Sequence, residues 1–134
     1  MAGGRPNVGG REAKPGELKP VYYWDISVRR HTKDDVENGL VDALEKAGLK
    51  RGSLRKSRFK SDGIEVHLEA EEGARTRIRV DFYAADNAEK LEETRKAIQY
   101  EIDTQKLILR TDHGHYDEEG KPVSYTASLG DEAS

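Results

Sequence analysis

Cysteine is absent from the 134 residues, which excludes structural disulfides, thiolate metal sites and cysteine nucleophiles. Large apolar residues are scarce: there are one Trp, two Phe and one Met, and 34% of the chain is hydrophobic against 37% charged. That composition implies a thin core beneath a large solvated surface. No stretch approaches the roughly 18 consecutive apolar residues of a membrane span, and the first twenty residues lack the apolar centre of a secretory signal. A soluble, cytoplasmic chain with no membrane association is expected. Catalytic signatures are missing too, with no GxSxG elbow, GxxxxGK[ST] loop, GxGxxG turn or HExxH helix. The carboxylate pairs Asp34-Asp35 and Glu92-Glu93 fall at helix starts or on helix surfaces, where capping and solvation account for them. A non-enzymatic protein without cofactor or metal is the expectation.

What is present is charge, unevenly placed. Residues 1–61 carry 14 Lys/Arg against 8 Asp/Glu, and residues 62–134 carry 9 against 18, so the net charge of −3 conceals a dipolar chain. The densest run is residues 50–60, KRGSLRKSRFK, in which six of eleven residues are basic and none is acidic. Lys50, Arg51, Arg55, Lys56, Arg58 and Lys60, joined by Arg29 and Arg30, are the candidate contacts for nucleic acid or another anionic partner. Six neutralised phosphates would give a log-log salt slope of about −5. An acidic protein surface, or the chain's own acidic half in a homo-oligomer, would suit the same cluster.

Periodicity supplies the elements. Residues 1–20 hold five Gly, three Pro and four Lys/Arg and read as a flexible basic tail. From 21 to 29 the chain alternates, with Tyr22, Trp24, Ile26 and Val28 on one face and Tyr23, Asp25, Ser27 and Arg29 on the other, as a half-buried strand does. Val36, Leu40, Val41, Leu44 and Ala47 keep helical spacing after a cap at Thr32 or Asp34, and Gly48 supplies the stop. Residues 64–84 read as a hairpin whose apolar residues all carry even numbers. A loop Glu71-Glu72-Gly73 with left-handed Gly73 satisfies that parity, placing Ala70 opposite Ala74 and pairing Glu69 with Arg75 and Glu65 with Arg79. Asp86 or Asn87 opens a second helix bearing Leu91, Arg95, Ile98 and Ile102, KLILR at 106–110 suits a short strand, and DEEGKP at 117–122 turns into a final strand through Val123, Tyr125, Ala127 and Leu129.

The order strand, helix, strand, strand, helix, strand, with an extra terminal strand, matches the split βαβ arrangement of ferredoxin-like domains. An α+β, ferredoxin-like two-layer sandwich over residues 21–130 is therefore expected, followed by a short disordered terminus at 131–134. Tyr23 and Tyr83 are the aromatics assigned to its outward face and hence the candidate partner contacts. His113 and His115, spaced i, i+2 with Asp112 and Asp117 flanking, have some metal-ligand character, and distant His31 or His67 could add a third ligand, but nothing in the spacing demands one, and they read as polar loop residues. The functional expectation is a small binding and assembly module that contacts another protein or itself through a charged strand-edge surface. The alternative is an RNA- or DNA-binding protein gripping the phosphate backbone with residues 50–60.

Overall fold

The computed structural model describes residues 18–86 and 88–125. Seven strands form one antiparallel sheet: β1 Lys19–Val28, β2 Lys50–Arg51, β3 Arg58–Ser61, β4 Ile64–Glu71, β5 Thr76–Ala84, β6 Ile108–Tyr116 and β7 Pro122–Ser124, in the spatial order β2-β3-β4-β5-β1-β6-β7. Two helices, α1 Lys33–Lys46 and α2 Lys90–Thr104, complete the described residues, and a 3-10 turn at Arg30–Thr32 links β1 to α1. A four-stranded ferredoxin-like sandwich does not describe this molecule. The basic segment folds back beside β4 and adds β2 and β3 to one edge, while β7 extends the other, so strand outweighs helix.

The even-numbered residues of β1, β4 and β5 do face one core. Trp24, Ile26, Val28, Val66, Leu68, Ile78, Val80 and Phe82 pack there with Val36, Leu40 and Leu44 of α1 and Ile98 and Ile102 of α2. Both helices thus cover the same face of the sheet. Phe59 of β3 is fully buried in this cluster, and truncating such a side chain to alanine costs about 3–5 kcal/mol. Gly48 ends α1 at φ +100°, with the Gly48 and Leu49 amides donating to the carbonyls of Glu45 and Leu44. This is a Schellman cap, closed by burying Leu49. Thr32 is the N-cap of α1, but its hydroxyl donates backward to the Arg29 carbonyl rather than accepting from the helix.

The register of the central hairpin departs from expectation. Ala70 pairs with Ile78, Glu69 with Arg79 and Glu71 with Arg77, which shifts the turn toward residues 72–75 and leaves Gly73 outside the left-handed region. Parity survives because the shift is even, so the same residues stay in the core. The second helix begins at Lys90 after Glu89, later than Asp86; Asn87 lies outside the described residues. Strand β6 is longer than KLILR and takes in residues 112–116, and β1 begins at Lys19, inside the tail expected over 1–20; the rest of that tail (1–17), the strand continuation over 126–130 and the terminus 131–134 lie outside the described residues.

Candidate functional site

The hairpin β2–β3 holds the basic run at one end of the sheet order. An Asp62-Gly63 turn returns β3 onto β4, with Gly63 at φ +77°, and Lys50 pairs with Lys60 and Arg51 with Phe59 across β2 and β3. Asp-Gly is a strong two-residue hairpin signal; it is the feature that places β3, and with it Phe59, in the sheet. The connection 52–57 is tied down by main-chain bonds from Gly52 N to Arg58 O (2.8 Å), Arg58 N to Arg55 O (3.1 Å) and Leu68 N to Ser57 O (2.8 Å). Arg51 reinforces it by donating Nε to the Lys56 carbonyl at 2.8 Å while its guanidinium rests 5.5 Å from the centre of the Phe59 ring. At the tip Leu54 is 96% exposed.

Of the six cations on this hairpin, only Arg58 meets a carboxylate among the described residues, Glu65 at 3.9 Å. Lys50, Arg51, Arg55, Lys56 and Lys60 are exposed and form no ion pair there. Lys50 even stands directly opposite Lys60, a like-charge arrangement that destabilises a strand pair. The bonded loop fixes where these charges sit, so binding an anion would not first require ordering the segment.

The sheet face opposite the helices is polar, aromatic and largely self-neutralised. Arg77 bridges Asp25 (3.1 Å) and Glu71 (3.3 Å). Arg79 donates to the Tyr116 hydroxyl at 3.1 Å and approaches Asp81 at 3.4 Å, and the Tyr116 hydroxyl donates to Asp81 at 2.6 Å. Burial, followed by that bond to Asp81, pushes the Tyr116 phenol up to about 12. His67 lies 2.7 Å from Glu65, and its ring centre is 4.5 Å from that of Tyr83.

The structure separates the eight predicted cations into two groups. Lys50, Arg51, Arg55, Lys56, Arg58 and Lys60 stay together, but Arg29 and Arg30 sit at the end of β1, with β4 and β5 intervening between that strand and β3. Arg30 pairs with Glu72 at 3.4 Å. Tyr83 is half-buried on the open face as expected of its parity, but Tyr23 is not available: it is 6% exposed, with the Arg79 guanidinium 4.7 Å from its ring centre and Tyr116 beside it. Alternation correctly gave Tyr23 its face; the long side chain of Arg79 closed over it.

His113 and His115 are strand residues, not loop residues. They lie on the helix-facing side opposite Trp24 and Tyr22, His113 stacking on Trp24 and both contacting Tyr125. Gly114 between them is the close-approach point with β7, where a Cβ would run into the Val123 carbonyl. Among the described residues no three His, Cys, Asp or Glu side chains converge to hold a metal ion, and no helix is long and apolar enough to cross a membrane. Comparison with known protein families and with curated protein sequences gives no match.

Proposed function

We propose that this chain is a non-enzymatic binding module whose β2–β3 hairpin grips the phosphate backbone of nucleic acid with little sequence preference. The observation that carries the reading is five cations that meet no carboxylate among the described residues, held on one ordered hairpin, in a molecule whose sheet-face arginines Arg77 and Arg79 are engaged by carboxylates. Phosphate contact would relieve the Lys50–Lys60 repulsion and release counterions, the main source of sequence-independent affinity. The strand-edge mode of assembly has less support. Edge strand β2 is two residues long and basic, and β7 is three residues long and begins with proline, features that blunt sheet edges against pairing.

The test is fluorescence anisotropy with labelled single-stranded RNA and duplex DNA across a salt series. Five phosphate contacts would give log-log slopes of about −3.5 on single strands and about −4.5 on duplex. A variant carrying Arg55→Ala, Lys56→Ala and Lys60→Ala should bind more weakly with a shallower slope. Equal binding by variant and wild type would sink this reading.

An acidic protein surface is the second reading, favoured by one observation. Leu54 at the hairpin tip projects into water beside Arg55 and Lys56, where a protein partner would bury it and a phosphate backbone would not. Leu54→Ser separates the two: it leaves nucleic-acid affinity unchanged but weakens a protein complex.

A further inference from the structure

Away from the hairpin, the ends of three neighbouring strands, β5, β1 and β6, border a hollow of about 540 Å³ to which neither β2 nor β3 contributes. That volume lies within the range of roughly 300–1,000 Å³ common for small-molecule sites. Three arginines from three different segments line it: Arg30 from the turn after β1, Arg75 from the β4–β5 connection and Arg110 from β6. Arg30 shares Glu72 with Lys33. The side chains of Arg75 and Arg110 have no hydrogen bond or ion pair among the described residues, and the carboxylates of Asp25 and Glu71 are occupied by Arg77.

A β-bulge shapes the same place. Ser27 pairs with Arg110 and Val28 with Ile108, so Leu109 is the extra residue, left 57% exposed on the hollow's wall with Val28. Bulges re-aim side chains and are over-represented beside functional sites. Leu109 presents apolar surface in the same hollow that the Arg75 and Arg110 side chains line. A ligand with an anionic head and an apolar body would match both features. Guanidinium forks bind phosphate oxygens in bidentate fashion, and more than one fork suits a dianion.

We propose that this hollow binds a small phosphomonoester, its phosphate between Arg75 and Arg110 with Arg30 alongside, and its apolar or aromatic body against Leu109 and Val28. The inference does not depend on nucleic-acid binding, because the two sites share no residue.

Isothermal titration calorimetry with phenyl phosphate, inorganic phosphate and phenol tests it on the full chain. Phenyl phosphate should bind more tightly than either fragment. The double variant Arg75→Ala/Arg110→Ala should lose about tenfold to a hundredfold in affinity for phenyl phosphate, the worth of one or two charge-assisted hydrogen bonds. Leu109→Ser should narrow the preference for phenyl phosphate over inorganic phosphate. An Arg55→Ala/Lys56→Ala variant should bind phenyl phosphate as wild type does. All the replaced side chains are exposed, and circular dichroism melts of each variant check that it folds. No heat with phenyl phosphate at millimolar concentration, equal affinity in the Arg75/Arg110 variant, or a loss that follows Arg55 and Lys56 instead would each overturn the proposal.

Discussion

Tyr116 joins three side chains on the open sheet face. Its hydroxyl donates to Asp81 and accepts from Arg79, and its ring packs on Tyr23 beneath that same arginine. Folding therefore favours the neutral phenol, whose pKa rises from 10.0 to about 12. The sign follows: the stabilisation is complete below about pH 10 and is lost as pH climbs through 10 toward 12, because the unfolded chain releases this proton first. Tyr116→Phe should lower stability by about 1 kcal/mol near neutrality. The gap in melting temperature between wild type and variant should then shrink as pH approaches 12; a gap independent of pH would show that the ionisation of this hydroxyl is not linked to folding. None of this was legible in the sequence, where residues 112–117 carry a glycine between two histidines and read as a loop. The alternation of β6 is hidden because its helix-facing positions are Thr111, His113 and His115, not aliphatic residues.

The β2–β3 hairpin is the element in which local stability and proposed function conflict. Replacing Lys50 with Glu would set an opposite charge across from Lys60 and should stabilise the chain by about 0.2–1 kcal/mol in chemical denaturation. The same change should weaken nucleic-acid binding and flatten the salt slope by at least about 0.7. A variant that gains stability and retains affinity would remove Lys50 from the contact surface. The basic run itself was evident from composition, and so was its exposure. Its place in the sheet rested on Asp62-Gly63, which returns β3 onto β4, and on Phe59, a lone aromatic whose burial comes from packing against Val66 and the rest of the core. The β4–β5 pairing shows the same limit. Its parity is written in the side-chain alternation, but two turns four units apart in residue sum satisfy that parity equally, and the cross-sheet partners of β5 on β1 select between them.

At the scale of the whole molecule, one sheet face is covered by both helices and the edges are short, so protection should be graded across the sheet. Amides of central strands β1 and β5 should exchange with solvent only through global unfolding, while those of β2 and β7 exchange through local opening; native-state hydrogen exchange read by NMR measures this directly. Uniform protection out to β2 would mean that the basic edge is as firmly held as the core. The sequence by itself determined the absence of thiol chemistry, the helix that stops at Gly48, the core-facing set of β1, β4 and β5, and the concentration of positive charge at 50–60. Each of these follows from backbone geometry or composition, since periods of 3.6 and 2 and the left-handed glycine are imposed within a few residues of chain. Only the tertiary structure decided the seven-stranded sheet, the hairpin register, the closing of Arg79 over Tyr23, the separation of Arg29 and Arg30 from the basic hairpin, and the arginine-lined hollow beside the Leu109 bulge. Those features are set by which distant segments pair and which long side chains reach across strands, and such energies belong to pairs of residues far apart in the chain.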